Sequence, residues 1–213
     1  MTRTGIYGGS FNPIHNGHVS LARHLIGQGL VDEVWLVVSP QNPFKVDASL
    51  LDEQCRLSLA RLAVEHEPGI EVSDVEFALP RPSFMSSTLR TLSARYPRRE
   101  FSLIIGADNW VRFPQWHEAR WIMEHYPLIV FPRPGYPIGA LPQGVHRAAT
   151  PLLDISSTHI RECIPQPGYN GEGLAPQVWE QIRASLLCPS HALTGWCVMA
   201  RGSFVPNINN DTR

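Results

Sequence analysis

Two periods of hydrophobicity alternate along the chain. Residues 4–9 (TGIYGG) make a short apolar run that ends in glycines, which predicts a buried strand. Over residues 18–28, Leu21, Ala22, Leu25 and Ile26 recur at helical spacing. Residues 33–39 (EVWLVVS) are apolar on both faces, as a central parallel strand is. A loop follows over 40–49, then a helix over 52–65 with Cys55, Leu59, Leu62 and Ala63 on one stripe. The same reading predicts strands over 70–77, 101–108, 127–133 and 145–150. It predicts helices over 87–95 (capped by Ser86 or Ser87), 116–125, 155–164 and 174–187.

Strand alternating with helix at this spacing predicts an α/β fold: a Rossmann-like, doubly wound, mostly parallel sheet with helices on both faces. One domain is expected over residues 1–188. The tail, 189–213, has no clear periodicity and is compatible with a disordered end or a small packed extension. Ligands of such folds bind beyond the carboxyl ends of the strands. That rule gathers residues 8–18, 39–45, 106–108 and 132–135 on one edge.

Composition narrows the function. The formal net charge is −1, which argues against a broad polyanion-binding surface and hence against nucleic acid. No apolar run is long enough to span a membrane, and the N-terminus lacks a signal peptide's apolar region. Cys55, Cys163, Cys188 and Cys197 form no C-x-x-C pair, so reduced thiols and a cytoplasmic location are expected.

The chemistry concentrates at the first turn, "GGSFNPIHNGH" (residues 8–18). With Asn16 as the expected N-cap, the first-turn amides of the following helix would face outward and could satisfy an anion. Gly8 and Gly9 allow close backbone approach, and Ser10, His15 and His18 add donors. A Walker A loop is excluded because no lysine follows the glycines, and the dinucleotide fingerprint G-x-G-x-x-G is absent. His15 and His18, spaced i, i+3 with no third ligand nearby, make a poor zinc set.

These residues carry a resemblance. "GGSFNPIHNGH" resembles the signature of the HxGH nucleotidyltransferase superfamily, and "ISSTHIR" (155–161) resembles its second motif. "PSFMSSTLRTL" (82–92) and "LIIGADNWVRFPQWHE" (103–118) are similar to segments of the bacterial nicotinate mononucleotide adenylyltransferase family. The resemblance covers about residues 4–187. It implies AMP transfer from ATP to nicotinate mononucleotide by direct in-line displacement, giving the deamido dinucleotide and pyrophosphate. It implies His15, His18 and Arg161 as catalytic residues. Gly8, Gly9, Ser10, Phe11, Gly106, Asp108, Ile155, Ser156, Ser157 and Thr158 would hold ATP. Lys45, Met85, Thr88 and Trp116 would hold nicotinate mononucleotide. Mg²⁺ would ride on the ATP phosphates rather than on protein side chains, with no tightly bound organic cofactor. A homo-oligomer is left open.

The chain departs from the family at four positions. Asn12 and Ser87 stand where Asp is common, Phe84 replaces Tyr, and Met85 replaces Thr. Alternatives are an adenylyltransferase acting on nicotinamide mononucleotide or phosphopantetheine, and a nucleotide-binding regulator without catalysis. Trp110, Trp116 and Trp121 also fit a plain core role; only the resemblance singles out Trp116.

Overall fold

The computed structural model describes residues 1–40, 50–151 and 155–187. Lys45 and the tail therefore lie outside the described residues. Strands β1 (Thr2–Gly9), β2 (Glu33–Val38), β3 (Ile70–Ser73), β4 (Arg99–Gly106), β5 (Leu128–Phe131) and β6 (Val145–Arg147) form one sheet. Its order is β3-β2-β1-β4-β5-β6, and every described pairing is parallel. Helices α1 (Asn16–Gly27), α2 (Glu53–Val64), α3 (Met85–Arg95), α4 (Ala107–Arg112), α5 (Ala119–His125), α6 (Ser157–Cys163) and α7 (Pro176–Leu187) connect and cover it.

Alternation along the strands divides the core in two. Val34, Leu36 and Val38 of β2, with Ile104 and Ile129, pack against Leu21 and Leu25 of α1, Leu59 of α2 and Ile182 of α7. Trp35 and Val37, with Leu103, Ile105 and Val130, pack against Leu89 and Leu92 of α3 and Ile122 of α5. Both faces are thus buried, which is why the strands read as continuous apolar runs rather than as alternating ones.

Three local expectations are revised. The strand expected over 70–77 stops at Ser73, the last residue paired with β2, and Val75–Ala78 closes into a 3-10 turn. The strand expected to reach Asp108 ends at Gly106, where α4 begins. On α2, the inward face carries Arg56 and Leu57, while Cys55 is only half-buried.

The sheet order reverses between β1 and β4, so a crevice opens beyond their carboxyl ends, at Gly9 and Gly106.

Candidate active site

A cleft of about 640 Å³ occupies that crevice. The turn after β1 forms its floor. Phe11 holds a left-handed backbone (φ +43°), its ring 2% exposed and edge-on to Tyr7 at 5.7 Å. A Cβ on Gly9 would meet that ring at 3.1 Å, so the glycine lets the turn close over Phe11. His15, not Asn16, is the N-cap residue of α1. The Asn16 amide is already used by Gly173 O (2.8 Å), and the His18 amide turns back to His15 O (2.9 Å). The start of α1 therefore offers fewer open amides than its sequence position implies, and the imidazoles become the more available donors.

The two rings stack, centroids 3.7 Å apart and 29° from parallel. The His15 backbone amide donates to His18 Nδ1 (3.2 Å), which leaves Nε2–H as the donor of the neutral His18 ring. Burial and the nearby Arg133 guanidinium push His15 down to about 3. Burial, then His15, then Arg133 hold His18 well below the usual imidazole value. Both are neutral in the ligand-free protein at pH 7. His15 Nδ1 is buried with no hydrogen-bond partner in the described structure.

The second motif meets the first here. Ser157 Oγ donates to Pro13 O (3.0 Å), and Arg161 Nη1 donates to Asn12 O (2.7 Å). Ser156 caps α6 by accepting from the His159 amide (3.1 Å). Ser156, Ser157, Thr158, Arg161 and Ile155 all line the cleft with Gly8, Gly9, Ser10, Phe11, His15 and His18. Asn12, 3% exposed, accepts the Leu51 amide through Oδ1 (3.2 Å), a neutral acceptor's role.

Gly106 and Asp108 line the opposite wall. A Cβ on Gly106 would lie 2.4 Å from Asp108 Oδ1 and 3.2 Å from Arg133 Cγ. Asp108 Oδ1 and Arg133 Nε stand 3.6 Å apart, both buried without a hydrogen bond in the described structure. Arg133 was missed as a residue, although its segment was expected at this edge; a cation two residues past β5 was the available signal. Met85 and Trp116 complete the cleft. The Met85 methyl lies where a Gly8 Cβ would project, 2.5 Å from it, so the larger side chain is accommodated over the glycine. Thr88 is not brought to the cleft: it is fully buried and donates to Glu76 Oε1 (2.8 Å). Among the described residues, no group of three carboxylate, imidazole or thiolate side chains could hold a metal ion.

Comparison with known proteins agrees with this geometry. The Cytidylyltransferase-like family model matches residues 6–163. A Bacteroides fragilis protein named "Probable nicotinate-nucleotide adenylyltransferase" is 47% identical over 183 residues, covering 85% of this chain and 91% of that protein. One of the same name from Cytophaga hutchinsonii is 43% identical over 166 residues, 77% of this chain and 86% of that protein. The solved Plasmodium falciparum nicotinic acid mononucleotide adenylyltransferase complexed with NaAD shares the fold, with a TM-score of 0.73 at 18% identity over 88% of this chain and 97% of that one. Both motifs face one cleft, and the matches span most of the chain: it belongs to the cytidylyltransferase-like family and, within it, to the nicotinate-nucleotide adenylyltransferases.

Proposed function

We propose that this chain transfers AMP from ATP to nicotinate mononucleotide and releases pyrophosphate, with His15, His18 and Arg161 acting on the triphosphate. The observation that carries the reading is the direct hydrogen bonding of the second motif to the first, Arg161 to Asn12 O and Ser157 to Pro13 O, around one cleft.

The nucleophile is a phosphate oxygen, already anionic near neutral pH, so no general base is required. The obstacles are repulsion between two anions and charge developing on the leaving pyrophosphate. His18 Nε2–H donates to the α-phosphate, and Arg161 faces the pyrophosphate. Arg133 adds another guanidinium to the cleft. Charge-assisted hydrogen bonds contribute about 1.5–3 kcal/mol each. Holding both substrates in line contributes roughly 7–11 kcal/mol and is the larger effect. Mg²⁺ would enter as part of the ATP complex, carried on the phosphates. On the acceptor side, Trp116 offers a planar apolar wall and Met85 the first amide of α3, ahead of the Ser87 N to Phe84 O bond (2.9 Å). A cytoplasmic location fits this chemistry, and no helix among the described residues is long and apolar enough to cross a membrane.

The test is pyrophosphate release from ATP and Mg²⁺ with each acceptor in turn. Turnover with nicotinate mononucleotide is expected. Turnover confined to nicotinamide mononucleotide or phosphopantetheine overturns the acceptor assignment, and none with any acceptor points to a non-catalytic regulator.

A further inference from the structure

The acceptor wall is built from two separate pieces of chain. Met85 opens α3, whereas Trp116 ends the 3-10 turn Phe113–Gln115, and each lines the cleft. Their relative position is not fixed by the sheet, because neither lies on a strand. Two residues beyond Trp116, the backbone of Glu118 is left-handed (φ +55°, ψ +34°). A Cβ crowds the following carbonyl oxygen there, so something must hold it.

The holding group is on α3. The Arg90 guanidinium donates to both carboxylate oxygens of Glu118, one bond at 2.9 Å, and lies 3.6 Å from the centroid of the Trp121 ring on α5. A second link runs beside it. His117 stacks on Phe84, centroids 4.4 Å apart and 18° from parallel, and its Nδ1 lies 3.2 Å from Ser86 Oγ. Phe84 and Ser86 flank Met85, just as His117 and Glu118 follow Trp116. Phe84, which lacks the family's usual hydroxyl, keeps the aromatic face on which His117 stacks.

We propose that Arg90 and Glu118 form a latch that sets the Trp116 segment against the first turn of α3 and so positions the acceptor wall. This rests on the acceptor reading above. Arg90 and Glu118 do not line the cleft, so both are positioning residues. Hydrogen bonds from Arg90 and then Ser86 draw the Glu118 carboxyl down to about 2, which keeps the latch charged across the working pH range. An exposed ion pair adds little to global stability. Its effect here is local, on the separation of two wall elements, and therefore falls on one substrate.

The test is steady-state kinetics of R90A, E118A, the double variant and E118G, with R120A as control for an exposed ion pair on the neighbouring helix (Arg120 with Glu124). R90A and E118A are expected to raise KM for nicotinate mononucleotide about five- to tenfold, while KM for ATP stays within about twofold. The double variant should cost no more than either single one, since the two act as a unit. E118G, which keeps the left-handed backbone without the carboxylate, should behave like E118A, and R120A like the parent. Unchanged acceptor KM in R90A and E118A, parallel rises for both substrates, additive losses or a parent-like E118G would each overturn the latch. Failure of the parent protein to turn over nicotinate mononucleotide would instead overturn the acceptor reading beneath it.

Discussion

Arg56 gives the sharpest prediction about how the cleft is held together. Its side chain is 0% exposed. Its donors go to backbone carbonyls: Nε to Leu51 O (2.9 Å), Nη1 to Ser10 O and Ser39 O (2.7 Å each), and Nη2 to Pro40 O (3.0 Å). One guanidinium thus ties the turn after β1 to the exit of β2 and the start of α2. Burial lowers its pKa, yet the group stays charged. In R56M these carbonyls lose their donor. Four hydrogen bonds to a charged group are together about 6–12 kcal/mol gross, at about 1.5–3 each. Removing the charge also relieves several kcal/mol of desolvation, while each buried carbonyl left without a donor costs about 1–3 kcal/mol, so the net loss is about 3–5 kcal/mol. Against a total stability of about 5–15 kcal/mol, the variant should fold but marginally. With a urea m-value of about 2 kcal/mol/M, the midpoint should fall by about 2 M. R56K, which keeps a charge but lacks the planar fork, should lie between. Equilibrium urea unfolding followed by circular dichroism measures both. A midpoint shift under about 0.5 M for R56M would refute the reasoning, because it would mean that the carbonyls find other partners at no cost.

Three further predictions concern the cleft. H18A should retain its fold and lose at least about a hundredfold in kcat, the scale of removing one transition-state donor, whereas R161A should chiefly raise KM for ATP; near-normal kcat/KM in purified H18A would contradict the assignment. Because the folded-state pKa values of His15 and His18 lie below the unfolded value of about 6.5, the unfolded chain binds protons that the folded chain excludes. Stability should therefore be unaffected by these groups above about pH 7 and fall as pH drops through about 6.5, by about 1 kcal/mol per histidine between pH 7 and 5.5. Urea midpoints at the two pH values check this, and H18N should reduce the slope; an unchanged slope would show that His18 titrates alike in the folded and the unfolded chain. In G106A the new Cβ would lie 2.4 Å from Asp108 Oδ1 and 3.2 Å from the Phe131 ring, displacing the carboxylate; KM for ATP should rise about tenfold with little change in melting temperature, and an unaltered KM would remove Asp108 from the ATP wall.

The strands and helices were legible because burial imposes a period that local sequence must obey. Errors arose where pairing, not pattern, set the boundary. Residues 70–77 are rich in strand formers, but the apolar positions change parity after Val72 and β2 offers no partner beyond Val37 opposite Ser73, so the strand stops. Nothing in the local pattern announces the burial of Arg56; three of its four carbonyl partners lie 16 to 46 residues away in sequence. Thr88 sits within a segment resembling an acceptor motif, yet its hydroxyl faces the buried Glu76, a partner no local pattern announces.

Sequence by itself marked the two motifs proposed to meet phosphate, since each is a short contiguous run. Tertiary structure alone decided that the two runs share one cleft. Pro13 and Ser157 are brought together across 144 residues, and Asn12 and Arg161 across 149. Those contacts follow from the reversal of strand order between β1 and β4, a consequence of how whole strands pair. The same reason hides the Arg90–Glu118 pair: contacts between elements depend on packing geometry, which a one-dimensional pattern of polarity does not encode.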